Sequence, residues 1–378
     1  MSTLNPMKIC VVMPRYSIAG VPLAQMRFAR ALADRGHSVD LVVGRIDPDQ
    51  PIPDIPAVSV IKLQTRNVRG MLIPLWRYLR AARPDVAFSA EDHLTIILLA
   101  ACILSRSTAK VSGSSRILPT DRQAYSSRWF SKGWWLKQTM KMVMWRANAL
   151  TCVSRDMVGM YQQVFRNAPH TWVYNIIKDE RSAQRASENV DHRWLKSKEE
   201  PLIVSAGTLT KRKGFVDLIR AFSIARQTRN CHLLILGEGY LRRELEQLAE
   251  DLGISEYVEM PGNVDNPLKY FSRSDVFVLA SYAEGLPNVL VEAMMSGCTP
   301  VATDCPTGPR EVLQDGKYGY LVPMRDPVAM AAAIEHALDH PIPKPLLDEA
   351  VAPFEEEAVI RRHFEVLGLS SDAVGVCS

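Results

Sequence analysis

The sequence predicts an α/β protein built from two doubly wound domains, and three observations carry that prediction. Its 378 residues exceed the roughly 250–300 at which a single hydrophobic core stops growing. Short apolar runs alternate with amphipathic stretches of helical length, an arrangement that implies parallel strands joined by right-handed crossovers. The alternation lapses once, in the polar stretch Lys178–Glu200 (KDERSAQRASENVDHRWLKSKEE), and then restarts.

In the first half, Lys8–Met13, Val39–Val43, Val58–Leu63, Asp85–Ser89, Lys110–Ser112 and Ala149–Ser154 read as strands, with helices between them, notably Pro22–Arg35 and Leu94–Ser105. The polar stretch reads as the interdomain connection with one short helix. Beyond it, Leu202–Ala206, His232–Gly237, Tyr257–Met260, Val276–Ala280 and Pro300–Thr303 are strand candidates, separated by helices such as Phe215–Arg226 and Tyr240–Asp251. The tail from Ala352, APFEEEAVIRRHFEVLGL, has helical periodicity. The expected division is therefore residues 1–178, residues 179–345, and a helical segment, 346–378, that packs back on the first domain.

Composition narrows the class further. Apolar residues make up 47% and charged residues 23%, ordinary globular values that exclude wholesale disorder. The N-terminus MSTLNPMKIC lacks the features of a secretory signal, so a cytoplasmic protein is expected. The most apolar run, Leu94–Leu104 (LTIILLAACIL), is shorter than the roughly 20 residues that cross a bilayer and reads as a buried helix. Seven cysteines (Cys10, Cys102, Cys152, Cys231, Cys298, Cys305, Cys377), with no CxxC pair, indicate neither a disulfide framework nor a zinc site. Residues 1–180 hold 24 Lys/Arg against 12 Asp/Glu, while residues 181–378 hold 21 against 29. Halves of +12 and −8 suggest that the first meets something anionic. No nucleic-acid motif accompanies that charge, so no nucleic-acid partner is expected.

Ligands of doubly wound folds gather at the carboxyl ends of the strands. The segment after Val276–Ala280 reads Ser281-Tyr282-Ala283-Glu284-Gly285-Leu286-Pro287-Asn288-Val289-Leu290-Val291-Glu292-Ala293. Glu284 lies in the loop, Gly285 permits unusual backbone angles, and Pro287 suits the first turn of a helix that runs to about Ser296. Free amides and the positive dipole at a helix start bind phosphate, and Glu284 and Glu292 can hold hydroxyls on either side of it. Taken alone, the two glutamates also fit a solvated loop charge and a surface helix residue. A second constellation, Lys211-Arg212-Lys213-Gly214, follows the first strand of the second domain; three adjacent cations equally suit a solvated loop. Gly20 follows the first strand of the chain in a segment that also fits an ordinary turn. His93, in Glu91-Asp92-His93, follows the fourth strand, with helix capping as the alternative to catalysis.

Five segments in order, Ala206–Gly214 (AGTLTKRKG), Leu236–Gly239 (LGEG), Pro261–Asn263 (PGN), Glu284–Glu292 and Thr303–Pro323 (TDCPTGPREVLQDGKYGYLVP), resemble the retaining glycosyltransferases of family 4. The resemblance covers most of the chain and implies a GT-B fold, two Rossmann-like domains facing each other across a cleft. It implies that Glu284 holds donor-sugar hydroxyls and Glu292 the ribose of a nucleotide. Backbone amides of Gly285, Leu286, Pro287's neighbours Asn288 and Val289 would contact sugar and diphosphate, Lys213-Gly214 would neutralise the diphosphate, and Gly20 would face it from the first domain. Gly239 and Asn263 fall in the donor-binding segments. The family's second phosphate-binding arginine is replaced by Thr208, which cannot make a two-pronged charged grip; Arg212 or Lys211 is the substitute. The family's histidine after the fifth strand is also missing, where this chain reads Val111-Ser112-Gly113-Ser114-Ser115-Arg116, and His93 is the nearest alternative.

The Thr303–Glu311 segment looks most like bacterial cell-surface polysaccharide transferases, which implies a UDP-linked hexose or N-acetylhexosamine as donor and a saccharide or polyprenyl-linked saccharide as acceptor. Charge on the departing diphosphate would be met by Lys213, helix amides and Arg212, with no cofactor and no metal. The only Asp-x-Asp, Asp47-Pro48-Asp49, reads as a surface turn. Arg128-Trp129-Phe130-Ser131-Lys132-Gly133-Trp134-Trp135-Leu136-Lys137, continued by Lys141, Met144, Trp145 and Arg146, interleaves aromatic and basic residues as a segment at an anionic membrane surface does, or as core aromatics under a basic face do. With the basic first half, this favours a lipid-linked acceptor and a place at the inner face of the cell membrane. Two other readings fit the same residues: a sugar-nucleotide epimerase of the same architecture, and a non-catalytic nucleotide-sugar-binding subunit.

Overall fold

The computed structural model describes residues 6–16, 20–46, 52, 55–116, 118–119, 125, 129–165, 169–197 and 199–369. Asp47-Pro48-Asp49, Ser17-Ile18-Ala19, Arg128 and Cys377 lie outside these. The chain divides into two compact units, Met1–Ile176 with Glu355–Ser378, and Ile177–Phe354.

The first unit holds strands β1 (Lys8–Arg15), β2 (Ser38–Arg45), β3 (Val58–Lys62), β4 (Val86–Ala90), β5 (Lys110–Ser115), β6 (Ala149–Cys152) and β7 (His170–Trp172). They form one sheet in the order β3-β2-β1-β4-β5-β6-β7, with every pair parallel. Ile9 to Met13 of β1 are completely buried, as a central strand covered on both faces requires. The helices are α1 (Gly20–Asp34), α2 (Leu72–Ala82), α3 (Asp92–Ser105), α4 (Lys132–Val143) and α5 (Arg155–Val164). The apolar run expected to be a buried helix is α3, with Leu94, Ile96, Leu98, Leu99, Ala101 and Cys102 all buried. No helix among the described residues is long and apolar enough to cross a membrane.

The second unit holds β8 (Leu202–Ala206), β9 (His232–Leu236), β10 (Val258–Gly262), β11 (Val276–Leu279), β12 (Thr299–Thr303) and β13 (Tyr320–Val322) in the order β10-β9-β8-β11-β12-β13, again all parallel. Its helices are α6 (Ser182–Ser187), α7 (Arg193–Ser197), α8 (Phe215–Ala225), α9 (Arg242–Asp251), α10 (Leu268–Phe271), α11 (Asn288–Met295), α12 (Pro309–Val312), α13 (Pro327–Asp339) and α14 (Lys344–Val351). Ile203, Phe222, Leu233, Val278 and Ile334 join in one buried cluster between strands and helices. In both units the strand order reverses beside the first strand, between β1 and β4 and between β8 and β11. At such a switch point the loops diverge and leave a crevice.

The last helix, α15 (Glu356–Val366), returns to the first unit. Arg35 at the end of α1 pairs with Glu356 and, at 3.1 Å, with Glu357. His37 stacks on Phe364 at 5.7 Å, and Lys110 Nζ donates to the Leu367 carbonyl at 2.8 Å.

Several expectations need correction. β5 runs on to Ser115, because tight packing against α3 overrides the turn-like look of Ser-Gly-Ser-Ser: a Cβ on Gly113 would lie 2.3 Å from Thr95 Cγ2. β7 and β13 are sheet edges of three residues each, too short for the alternation that marks longer strands. The polar stretch 178–200 is part of the second unit and forms two short helices, held there by Asn266 Nδ2, which donates to the Arg185 carbonyl at 2.7 Å and to Glu188 at 2.8 Å. The boundary expected after residue 345 falls after Phe354, since α14 buries Leu347, Ala350 and Val351 and packs on α11. Six cysteines are free and buried.

Gly113→Val should destabilise the first unit by about 1–3 kcal/mol, the usual range for forcing extra methyl groups into a packed interior. Urea unfolding followed by intrinsic fluorescence measures it, and a stability equal to the parent's would show that Thr95 yields freely.

Candidate active site at the switch point of the second sheet

The loops after β8 and β11 are neighbours because their strands are, and glycine lets them come closer than side chains would allow. Residues Lys211–Lys213 form a single 3₁₀ turn that ends at Gly214, whose φ of 65° starts α8. A Cβ on Gly214 would stand 2.0 Å from the Ala280 carbonyl oxygen, so the basic turn is pressed directly onto the end of β11. The Tyr282 amide donates to the Arg212 carbonyl at 2.8 Å, and the Tyr282 hydroxyl donates to Asp217 Oδ2 at 2.6 Å. Burial first, then that carboxylate, pushes the Tyr282 hydroxyl up to about 12.

This juxtaposition brings Lys213 Nζ to 2.6 Å from Glu284 Oε1, with the two side chains only 14% and 8% exposed. Ser281 Oγ donates to the same oxygen at 2.6 Å, while Oε2 makes no hydrogen bond among the described residues. The Thr307 hydroxyl donates to the Glu284 carbonyl, and the Thr303 hydroxyl donates to the Leu279 carbonyl at 3.2 Å. The loop is thus fixed from β12 as well as from β8. Gly285 is not left-handed; the left-handed glycine packed on this loop is Gly308 (φ 89°) in the loop after β12, where a Cβ would come 2.6 Å from Pro287 Cδ. The neighbouring Cys305 thiol is raised to about 12 by burial and by Glu284, which keeps it protonated at neutral pH.

Pro287 sits at the cap of α11 without a side-chain cap, and Glu292 lies half-buried on the helix one turn in. The Asn288 amide already donates to the Leu286 carbonyl at 3.0 Å and that of Leu290 to Pro287 at 2.9 Å. Of the backbone donors expected between Gly285 and Val289, that of Asn288 is therefore in use within the loop.

The other expected residues scatter more. Gly239 joins the site from β9, since a Cβ there would lie 2.4 Å from the Leu209 carbonyl oxygen. Thr208 and Arg212 are exposed beside Lys213. Asn263 is exposed after β10, and in the sheet order β9 and β8 separate it from β11. Three strand spacings put it roughly 14 Å along the sheet from the Glu284 loop. In the first unit Gly20 is the first residue of α1. His93 Nε2 lies 3.0 Å from Glu91 Oε2 with the ring 43% exposed.

Sequence reasoning missed the residue next to it. Asp92, at the start of α3, is half-buried and accepts from Ser115 at 2.5 Å, Tyr125 at 2.5 Å and Tyr161 at 2.6 Å. Burial raises its pKa while those hydroxyls oppose the rise. It also missed Ser281, Thr307 and Gly308 as supports of Glu284, although all three stand inside segments quoted above.

Lys213→Met leaves a buried carboxylate without its cation and should cost about 3–5 kcal/mol; the double variant Lys213→Met/Glu284→Gln should recover most of that loss. Denaturant unfolding of the single and double variants measures the coupling. Equal losses in both would mean that the pair does not stabilise the loop.

Comparison with known proteins matches each unit. Residues 186–351 match the model described as glycosyl transferases group 1, and residues 19–181 match that of Glycosyltransferase Family 4. A stretch of 167 residues is 37% identical to the N-acetylgalactosamine-N,N'-diacetylbacillosaminyl-diphospho-undecaprenol 4-alpha-N-acetylgalactosaminyltransferase of Campylobacter jejuni, covering 44% of this chain and 44% of that protein. Less than half of that relative's length is therefore spanned. Among solved structures, the sucrose-phosphate synthase of Thermosynechococcus elongatus superposes with a TM-score of 0.74 at 19% identity over 95% of this chain and 98% of that one. Anabaena HepE, in complex with UDP and glucose, gives 0.69 at 18% identity over 96% and 99%. The two parallel sheets and these likenesses establish the GT-B kind of fold, with two Rossmann-like domains. Both units are thus matched by glycosyltransferase models, residues 186–351 by that of group 1 and residues 19–181 by that of Family 4.

Proposed function

We propose that this chain is a retaining, metal-independent transferase that moves a hexose or N-acetylhexosamine from a UDP-linked donor to a saccharide or lipid-linked saccharide acceptor in surface-polysaccharide synthesis. The observation that carries the proposal is the Lys213–Glu284 pair, 2.6 Å apart at the switch point where doubly wound folds bind their ligands. The Anabaena neighbour's complex with UDP and glucose supports the nucleotide, and the Campylobacter relative's diphospho-undecaprenol substrate supports the lipid carrier.

Breaking the bond between the anomeric carbon and the phosphate oxygen builds charge on the departing diphosphate, and preorganised positive groups lower that barrier. Lys213 supplies one such group, and exposed Arg212 on the same turn supplies the contact that Thr208 cannot. Glu284 Oε2 accepts from a donor-sugar hydroxyl, Glu292 accepts from the ribose, and Gly239 lets the Leu209 backbone close against the end of β9 beside the nucleotide. The acceptor hydroxyl adds to the anomeric carbon on the face the diphosphate leaves, and its proton passes to the leaving phosphate oxygen. No protein nucleophile is required.

The first unit offers a surface for the carrier lipid. Trp129, Phe130, Trp135, Met142 and Trp145 are between 54% and 75% exposed before, along and just after α4, so these side chains are not core. Lys132 and Lys141 stand among them, each worth about 1 kcal/mol at an anionic surface. Arg146 is half-buried and tied to the Ser107 and Ala109 carbonyls at 2.7 and 2.8 Å. We place the protein at the inner, anionic face of the cell membrane.

Glu284→Ala and Lys213→Ala should each lower transfer from UDP-sugars to a polyprenyl-diphosphate saccharide by at least about 100-fold, with melting still cooperative, whereas EDTA should leave the parent's rate unchanged. Activity retained in either variant removes that residue's role; loss of all activity in chelator removes the metal-free mechanism. Incubation of donor without acceptor checks the remaining reading: an epimerised donor would make the chain an epimerase. Changing Trp129, Trp135 and Trp145 together to Ala should cut binding to phosphatidylglycerol vesicles about tenfold while transfer to a water-soluble acceptor persists.

A further inference from the structure

Four buried side-chain atoms without a hydrogen-bond partner belong to residues that line one cavity of the first unit: Gln25 Oε1 from α1, Ser112 Oγ from β5, Arg116 Nε just beyond β5, and His363 Nδ1 from α15. Each such atom costs about 1–3 kcal/mol when left unsatisfied. Folded proteins leave few of them, so four around one space mark a place built to be filled.

The chemistry of the four is not that of a general polar gap. Arg116 donates from Nη1 to Asn175 Oδ1 at 2.5 Å, yet it forms no ion pair among the described residues. Burial lowers its pKa to about 10 while Glu91 opposes the fall, so it is a cation at neutral pH. His363 is held by the rings of Phe28 and Phe88 at 4.7 and 5.4 Å. Burial, then Arg116, pushes its imidazole down to about 3, which leaves it neutral. Ser112 is a hydroxyl on the central part of the sheet. Gln25 Nε2 donates to the Val12 carbonyl at 2.9 Å, which fixes the amide and leaves its oxygen as an acceptor. Water would satisfy hydrogen bonds here, but Glu91 acts on Arg116 without forming an ion pair among the described residues, so the guanidinium would still lack a counter-ion in contact, the costlier deficit.

We propose that this cavity binds one phosphate-sized oxyanion that keeps a proton, with Arg116, Ser112 and His363 donating to its oxygens and Gln25 Oε1 accepting from its P–O–H. The acceptor selects for hydrogenphosphate over sulfate, which at neutral pH has no proton to give and would meet the amide oxygen with repulsion. The site lies wholly in the first unit and does not depend on the transfer reaction proposed above. The phosphate is either the free ion or the terminal group of a phosphomonoester taken up as its monoanion, the form that still carries a P–O–H.

The test is calorimetric and thermal-shift titration of the full chain with inorganic phosphate, sulfate and glycerol phosphate, repeated in Lys213→Ala to silence the second unit's site. Phosphate should raise Tm in both proteins and bind about tenfold more tightly than sulfate, reflecting the one extra hydrogen bond. Arg116→Met should fold, since a buried unpaired cation exchanged for an apolar side chain is often neutral or stabilising, and should lose phosphate binding. Gln25→Leu should bring phosphate and sulfate to within about twofold of each other. Should Arg116→Met fail to fold, Ser112→Ala and Arg116→Lys take its place, each weakening phosphate about fivefold. Glycerol phosphate bound as tightly as phosphate assigns the terminal group of an ester; phosphate alone assigns the free ion. The proposal is overturned by a parent that ignores phosphate, by equal affinity for sulfate, or by binding that disappears in Lys213→Ala and survives in Arg116→Met.

Discussion

A buried charge pair at the end of two adjacent parallel strands is the constraint on which the second unit's arrangement depends. Taking Lys213 and Glu284 out of water costs several kcal/mol per ion unless each is well partnered. The partners come from three separate loops: Ser281 beside Glu284, Thr307 on its carbonyl, and the backbone of Arg212 receiving the Tyr282 amide. None of these loops could close so tightly with a side chain at Gly214 or Gly308. The chemistry of the carboxylate and the ammonium therefore rests on two positions that carry no functional group at all.

The architecture was legible because periodicity survives in single sequences wherever an element is long. β1, β8, β9 and α8 follow directly from apolar runs and their spacing. What escaped was decided by tertiary contact. Lys110–Ser112 reads as a strand, but Gly113–Ser115 looks like a turn, and only its place between β4 and β6, with Thr95 against Gly113, makes it the end of that strand. The polar residues 178–200 look like a tether because their hydrogen-bond partners, such as Asn266, lie about 80 positions away.

The site shows the same division. Glu284 and Lys213 suit an anion site at strand ends, but taken alone each also fits a solvated loop, and the five segments resembling the glycosyltransferases are what marked them out. Ser281 and Thr307 are common loop residues, and their importance follows from which oxygen they meet. Asn263 shows the opposite limit, since a motif-like position can sit at the sheet's far edge. Asp92 and Arg116 were unreadable for a further reason: burial, which no sequence reports, is what turns an ordinary carboxylate or guanidinium into an exceptional one.

The first unit is assembled from two stretches of chain, so Arg35 must wait for Glu356, 321 positions later. A ribosome delivers the whole of the second unit before α15 emerges, and that unit can finish folding while the first still lacks the helix that covers Phe28, Phe88 and His37. A premature stop just past Phe354 would thus spare the later-made half and cripple the earlier one, with the loss felt at the opposite end of the message from the lesion.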